Sequence, residues 1–280
     1  MKTVSILLCA YNAEPFIKEA IDSILRQTYG DFELVMVNDG STDQTLEIMR
    51  SYADERICVV DAGHDYIRSL NIGLDHCHGE FIARLDADDL MEPTRIEEQV
   101  KLMRHHEDMT ACFTWATAFG EQTGLFGSHV QGWIPTPYFW LLTGNFLQHP
   151  TAMIRRDFLE KHNIRYQYYD YAEDYKIWAE MAKCGANFYV YPKPLILHRM
   201  DARQVSRVYA HEQWQTRLRI QQEIIEGLLP KILPTVRKDV SAYYESLIAL
   251  NKAHLMQGDR VAQEMYQVLD QLRRRGELVL

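Results

Sequence analysis

The 280-residue chain reads as an α/β protein, a mainly parallel sheet flanked by helices, with a C-terminal helical appendage. Three features predict this. Apolar runs of strand length alternate with amphipathic helical segments from Val4 to Leu85, the connections between them are short, and beyond Val208 the apolar spacing is helical throughout. Such alternation favours parallel strands covered on both faces, and ligands bind these sheets outside the carboxyl ends of the strands.

Val4 to Cys9 is almost continuously apolar, the pattern of a strand buried on both faces. Pro15 to Gln27 puts Phe16, Ile17, Ala20, Ile24 and Leu25 on one side of a helix. Phe32 to Val37 is a second strand; Ser41, Thr42 and Asp43 then offer caps to a helix carrying Leu46, Met49 and Tyr52. Ile57 to Val60 and Phe81 to Leu85 give two more strands, separated by a helical segment from Tyr66 to Cys77. Pro93 opens a further helix with Asp89 or Thr94 as its cap. Between Pro93 and Arg207 the pattern loosens. Apolar segments near Ala111 to Ala118 and Ala152 to Ile154 are set among Gly-rich and aromatic stretches, a composition suited to variable substrate contacts.

Three helices are expected after Val208: one with Trp214, Leu218, Ile220, Ile224, Ile225 and Leu228, one with Tyr243, Leu247, Leu250 and Leu255, and one with Val261, Met265, Val268, Leu269 and Leu272. Pro230 and Pro234 divide the first from the second, and Gly258 the second from the third. The organisation expected is therefore one domain over 1–207, whose pattern is regular over 1–92 and looser over 93–207, and a helical region over 208–280.

A net charge of −9 argues against nucleic acid as the main partner, because phosphate backbones require clustered Lys and Arg. Cys9, Cys58, Cys77, Cys112 and Cys184 are scattered without a C-x-x-C pair, which fits packing residues in a reducing compartment. The first strand begins too near the initiator for a secretory leader, and no apolar stretch has the length of a membrane span, so a cytoplasmic protein is expected. Arg273-Arg274-Arg275 beside Leu278, Val279 and Leu280 could touch anionic lipid. The helical region otherwise packs as core, pairs two copies or docks on a membrane face.

Asp86-Ala87-Asp88-Asp89 ends an apolar strand with a cluster of carboxylates that cannot be buried unpaired. Asp86 and Asp88, two apart, would project to the same side of an extended strand and repel unless a cation joins them. Oxygen ligands select a hard divalent ion such as Mg2+ or Mn2+, which in enzymes also holds substrate phosphates. A polar strand-to-helix turn is the competing reading. Tyr11-Asn12 and Asn38-Asp39 follow two other strands and must share the same sheet edge, while a G-x-G-x-x-G is absent after the first strand. Further on, Glu173 and Asp174 open a helix that buries Ile177, Trp178, Met181 and Ala182; acids are stabilised there by the helix dipole, which also keeps a carboxylate ionised for use as a base.

Taken in order, these motifs resemble inverting family 2 glycosyltransferases with the GT-A fold. Val4 to Asn12 is similar to the family's opening strand. Val37-Asn38-Asp39-Gly40-Ser41-Thr42-Asp43 looks like its D-D-G-S-x-D motif with Asn38 in place of the first acid. Arg68-Ser69-Leu70-Asn71-Ile72-Gly73 is similar to its R-N-x-G region, Asp86-Ala87-Asp88 to its D-x-D motif, and Glu173-Asp174 to its E-D motif. The resemblance spans about Val4 to Ser206 and implies a catalytic domain over 1–207, made of a nucleotide-binding half (1–92) and an acceptor half (93–207), with a UDP-sugar donor, Mn2+ or Mg2+ as cofactor, and a glycan or lipid-linked acceptor, in bacterial surface polysaccharide or lipopolysaccharide synthesis.

By the same resemblance, Tyr11 lies against the uracil ring, Asp39 accepts its N–H, and Arg68 helps to hold the nucleotide. Asp86 reaches the ribose or the metal shell, with Ala87 beside it on the nucleotide side. Asp88 is the principal metal ligand and Asp174 the catalytic base. Glu14 either contacts the base or ribose or is a plain acid at a helix start. His149 and Glu173 are acceptor-side candidates. Asp201 stands where relatives carry a histidine near the diphosphate, and His198 reads as a strand-end residue. Two rival readings are a sugar-nucleotide pyrophosphorylase, disfavoured because Tyr11-Asn12-Ala13-Glu14 is not a Gly-rich basic loop, and a non-catalytic sugar-nucleotide-binding assembly protein.

Overall fold

The computed structural model describes residues 2–127, 130–202 and 204–232, and positions 242, 264, 267, 270, 271, 274 and 275. In order, the elements are β1 (Val4–Ala10), α1 (Ile17–Leu25), β2 (Phe32–Asn38), α2 (Thr45–Arg50), β3 (Ile57–Asp61), α3 (Tyr66–His76), β4 (Phe81–Asp86), β5 (Leu90–Met91), α4 (Arg95–His105), β6 (Ala111–Gly120), β7 (Gly124–Phe126) and β8 (Gly132–Trp133). There follow α5 (Pro137–Trp140), β9 (Met153–Arg155), α6 (Arg156–Lys161), α7 (Glu173–Lys183), β10 (Phe188–Met200), α8 (Val205–Val208) and α9 (Ala210–Ile232). They form two compact units, one of residues 1–134, 146–168 and 186–208, the other of residues 135–145, 169–185 and 209–280. The division is thus made at several points of the chain, of which Val208 is the last.

The first unit is built on one sheet in the order β3-β2-β1-β4-β9-β6-β10-β5, with β7 on β6 and β8 on β10. β3, β2, β1 and β4 run parallel, as their near-continuous apolar sequences predict. Beyond β4 the sheet is mixed: β9 enters antiparallel to β4 and β6, while β6 and β10 are parallel. Alternation along β1 sorts its side chains to two faces. Val4, Ile6, Leu8 and Ala10 join a core with Ile17, Ala20, Ile21 and Ile24 of α1 and with Ile96, Val100 and Met103 of α4. Leu7 points the other way, toward Gly73 of α3, where a Cβ would stand 2.3 Å from Leu7 Cδ1. Helices on both faces bury β1, β2 and β4 almost completely.

β10, the longest strand, escapes sequence reading because Pro192 and Pro194 interrupt it. Register shifts between Tyr191 and Ile196 absorb both prolines and let pairing with β6 resume. Two buried polar residues tie this half together. Arg95 donates to Gln99 Oε1 and to the carbonyls of Arg84 and Ala152, and Gln99 Nε2 lies 3.1 Å and 3.0 Å from the carbonyls of Cys112 and Thr151.

The second unit packs α7 and α9 with α5 and a one-turn 3-10 helix, Leu141–Thr143. Ile220, Ile224, Ile225 and Leu228 of α9 are buried, as are Tyr175, Ile177, Trp178 and Met181 of α7. Lys176, buried between the helices, is neutralised by Glu180 at 2.7 Å and Glu223 at 2.6 Å. Trp214, the first residue of the expected apolar stripe, is exposed.

Several local expectations are revised. α9 runs on to Ile232, two residues past Pro230, because proline's fixed φ is helical and only one N–H is lost. Thr94 stands at the N-cap of α4 but its side chain caps no backbone N–H, Oγ1 meeting Glu98 instead, and Asp89 turns inward. α2 starts at Thr45, whose N–H is received by Asp43 Oδ1 at 3.0 Å. Cys184 is exposed and Cys58 half-buried, so packing accounts only for Cys9, Cys77 and Cys112. The expected second and third helices, with Pro234, Gly258 and the Arg273 to Leu280 segment, lie outside the described residues save for single positions. Among the described residues no helix is long and apolar enough to cross a membrane.

Candidate active site

Parallel registers pair Ala10 with Asn38, Asn38 with Asp61, and Cys9 with Asp86. Tyr11, Asp39 and Asp86 to Asp88 therefore leave the sheet along one edge of the first unit. The loops after β1 and β2 are laced together. Asn12, held at φ 47°, donates its N–H to Ser41 Oγ and accepts from Thr42 N; Ala13 N donates to Thr45 Oγ1; Glu14 N donates to Asp43 Oδ2, and Glu14 Oε2 accepts from Gln44 N at 3.1 Å. Glu14 thus also joins the two loops.

Asp39 is 2% exposed. Its Oδ1 accepts from Asp65 N and Ser69 Oγ, each at 2.7 Å, anchoring the start of α3. Its Oδ2 lies 3.3 Å from His64 Nδ1. The His64 ring in turn stacks on Tyr11, centroids 4.2 Å apart and planes 23° apart, while Tyr11 remains 46% exposed. Arg68 is exposed on α3, where its own N–H is capped by Asp65 Oδ1 at 3.0 Å. Asn38, the departure from the resembled motif, is 1% exposed and donates Nδ2 to Asp61 Oδ1 at 2.8 Å. An aspartate there would set carboxylate against carboxylate.

β4 ends at Asp86, so Asp88 stands in the following turn, off the strand's alternation that was expected to align it with Asp86. Asp86 Oδ1 pairs with Arg84 Nη2 at 2.9 Å. Arg84 is itself buried and also donates to Tyr66 Oη at 3.0 Å. Asp89 is wholly buried; its Oδ2 meets His198 Nδ1 at 3.0 Å and its Oδ1 accepts Arg199 N at 2.8 Å. Burial disfavours a charged imidazole, yet the Asp89 hydrogen bond and the surrounding carboxylates outweigh it and hold the His198 pKa above its ordinary value. Burial, reinforced by Asp89 and Asp86, pushes the Asp88 carboxyl up to about 7.

Asp88 is thus a half-buried carboxylate with two like charges beside it, and among the described residues no Lys or Arg pairs with its side chain. A divalent cation would answer that frustration, and all-oxygen donors would suit Mg2+ or Mn2+. Among the described residues no three His, Cys, Asp or Glu side chains gather into a ready cage, so such an ion would complete its shell from water and substrate oxygens.

In the second unit, Asp174 sits in the first turn of α7. Its Oδ1 accepts Tyr175 N at 2.6 Å and its Oδ2 accepts Asn145 Nδ2 at 2.7 Å. The loop entering α7 is held in a left-handed conformation at Tyr171, φ 59°, whose ring stacks on Tyr209 at 4.2 Å and whose carbonyl accepts Gln213 Nε2 at 2.7 Å. Glu173 is half-buried beside Asp174, and Asp201 lies just past β10 in the first unit.

Residues 5–162 match the family described as Glycosyl transferase family 2. The chain belongs to this family. A glycosyltransferase of Haemophilus influenzae, itself uncharacterized, is 34% identical over 291 residues, covering 95% of this chain and 86% of the relative. The putative glycosyltransferase EpsE of Bacillus subtilis is 36% identical over 157 residues, which are 54% of this chain and 56% of EpsE. Among solved structures, S. aureus TarS in complex with UDP-GlcNAc matches with a TM-score of 0.66 at 19% identity, over 80% of this chain and 66% of that one. The mannosyltransferase PcManGT of Pyrobaculum calidifontis, in complex with GDP-Man and Mn2+, matches with a TM-score of 0.56 at 17% identity, over 96% and 88% of the two chains. The fold is accordingly GT-A.

For this family 2 glycosyltransferase, sequence reasoning missed His64, Ser69, Arg84 and Asn145. Arg84 alone carried a signal, a cation inside an apolar strand two residues before Asp86. His149 proves to be an internal residue rather than a ring offered to an acceptor. It is buried and lies 2.8 Å from Tyr166 Oη; burial, with the Arg84 charge, pushes its pKa down to about 3.

Proposed function

We propose that the protein moves a hexose or N-acetylhexosamine from a UDP-sugar to a hydroxyl of a glycan or glycolipid acceptor, inverting the anomeric carbon, in bacterial surface polysaccharide or lipopolysaccharide synthesis. One observation carries this reading: Asp86 and Asp88 stand on the same strand-end edge as Tyr11 and Asp39. Nucleotide sugars in the TarS and PcManGT complexes support a donor of this class.

The exposed Tyr11 face stacks on the base. Asp39 commits Oδ1 to α3 and offers Oδ2 to the base N–H, with Arg68 nearby on the nucleotide side. Asp88 holds the ion, and Asp86, whose charge Arg84 already offsets, serves the ribose or the metal shell next to Ala87. A bound Mn2+ or Mg2+ supplies charge neutralisation at the departing diphosphate. Asp174 accepts the proton of the acceptor hydroxyl, so the two acidic sites divide leaving-group and nucleophile work between them. Glu173 and Asp201 are proposed as acceptor and phosphate contacts. The setting proposed is cytoplasmic, with the C-terminal helices facing a membrane or a second copy.

A hydrolysis screen of UDP-, GDP- and dTDP-sugars with Mn2+ or Mg2+ tests the reading. UDP-sugars are expected to turn over, and Asp88→Asn and Asp174→Asn each to lose at least ~100-fold. A preference for GDP-sugars would overturn the base assignment. Tight UDP binding without transfer to any acceptor would instead mark a non-catalytic binder.

A further inference from the structure

A general base needs an aim as well as a charge. We infer that Asn145 is the positioning residue for Asp174, and that α9 holds Asn145 in place through the one-turn helix before it; this rests on the reading of Asp174 as the base.

The Tyr175 N–H fixes Asp174 Oδ1, but one anchor leaves the carboxylate plane free to turn. Asn145 Nδ2, from a segment 29 residues earlier, fixes Oδ2 at 2.7 Å. A neutral amide suits this task. It orients the carboxylate without neutralising it, and a carboxylate has about four lone-pair sites with which to accept.

What steadies Asn145 is unusually complete. Asn145 follows the turn Leu141–Thr143, and each carbonyl of that turn is tied to α7 or α9. Leu141 O accepts from Tyr175 Oη, the residue next to the base; Leu142 O accepts Gln221 Nε2 at 2.7 Å; Thr143 O accepts Arg217 Nη2 at 3.2 Å. Tyr175 and Gln221 are buried. Gly144 then swings the chain from clamp to amide at φ 130°, ψ −178°, a conformation open essentially to glycine alone. Its Cβ, if present, would stand 3.2 Å from Arg217 Nη2. The amide that meets Asp174 is thus the output of a rigid turn gripped by the C-terminal helix, which gives α9 a part in the reaction.

The test compares Asn145→Ala, Asn145→Asp and Gln221→Leu with the wild type and Asp174→Asn. Nucleotide release is followed with water as acceptor, using whichever UDP- or GDP-sugar the wild type turns over fastest. Asn145→Ala is expected to lower kcat about tenfold or more, the scale of one hydrogen bond to a charged group, with KM for the donor unchanged. The acid limb of its kcat profile should move to higher pH, because a donor favouring the charged carboxylate is gone. Asn145→Asp keeps the shape but sets a second carboxylate against Asp174, so it should lose at least as much kcat and also lower thermal melting. Gln221→Leu should lower kcat in the same pattern without touching Asp174. Absent wild-type turnover, or an active Asp174→Asn, overturns the base assignment and this inference with it. An inactive Asp174→Asn beside an undiminished Asn145→Ala or Asn145→Asp overturns the positioning role alone. An undiminished Gln221→Leu overturns the part given to α9.

Discussion

Asn38→Asp restores the acid that the resembled motif carries and should damage the protein, by an amount the structure allows to be worked out. Asn38 is 1% exposed, and its Nδ2 donates to Asp61 Oδ1 at 2.8 Å. The substitution removes a hydrogen bond to a charged acceptor, about 1.5–3 kcal/mol, and sets two carboxylates at that separation. At an effective dielectric of about 20, their repulsion would approach ~6 kcal/mol. Two effects reduce it. The Asp61 side chain is 46% exposed with Arg50 Nη2 at 3.9 Å, so solvent and a cation screen the pair. The new carboxyl can also take up a proton, which at pH 7.5 costs no more than about 5 kcal/mol and restores a donor. A net loss of roughly 2–4 kcal/mol at pH 7.5 follows, a large share of a domain's stability.

The sign of its pH dependence is distinctive. An acid whose pKa is raised on folding binds more protons folded than unfolded, so stability rises as pH falls toward the ordinary carboxylate range, by up to about 1.4 kcal/mol per unit. Urea unfolding at pH 7.5 and pH 5, followed by far-ultraviolet circular dichroism, measures both quantities. Asn38→Ala, which loses the donor without adding charge, provides the pH-independent control. An Asn38→Asp protein within about 1 kcal/mol of wild type at pH 7.5, or with an equal deficit at both pH values, refutes the reasoning.

Gly79→Ala places a Cβ 2.5 Å from Ser5 N and 2.7 Å from the Val4 carbonyl carbon, backbone that cannot step aside, and should cost about 1–3 kcal/mol or more in urea unfolding. His149 stays neutral in the fold to about pH 3 while the unfolded chain protonates it near its ordinary value. Stability should therefore fall by about 2 kcal/mol between pH 7.5 and 5 on its account, and His149→Gln should flatten that slope, with matching slopes in the two proteins as the contrary result. If the segment from Arg273 to Leu280 contacts anionic lipid, its removal should reduce flotation with phosphatidylserine vesicles; equal flotation removes that role.

The strand-end edge proposed to hold the nucleotide was legible in the sequence because its signals are local. Apolar runs mark the strands, and Tyr11, Asp39 and Asp86 to Asp88 stand where those runs stop, so parallel topology alone gathers them. The mixed half was not legible. β10 carries two prolines that demote it by sequence rules, and only pairing with β6 across a shifted register reveals it as a strand. His64 and Asn145 had no local signal at all, since a loop histidine and a loop asparagine become informative only when a Tyr11 ring or an Asp174 carboxylate lies within reach.

The sequence by itself determined the family, the α/β alternation and the identity of the acidic clusters, because periodicity and motif spacing are properties of neighbours along the chain. Tertiary structure decided how those charges are used. It turns Asp89 inward to His198 and Arg199, pairs Asp86 with Arg84, and leaves Asp88 as the carboxylate whose charge burial and its neighbours oppose. The difference is physical: what a carboxylate does depends on its desolvation and on the cations and donors within a few ångströms, and long-range folding chooses those partners.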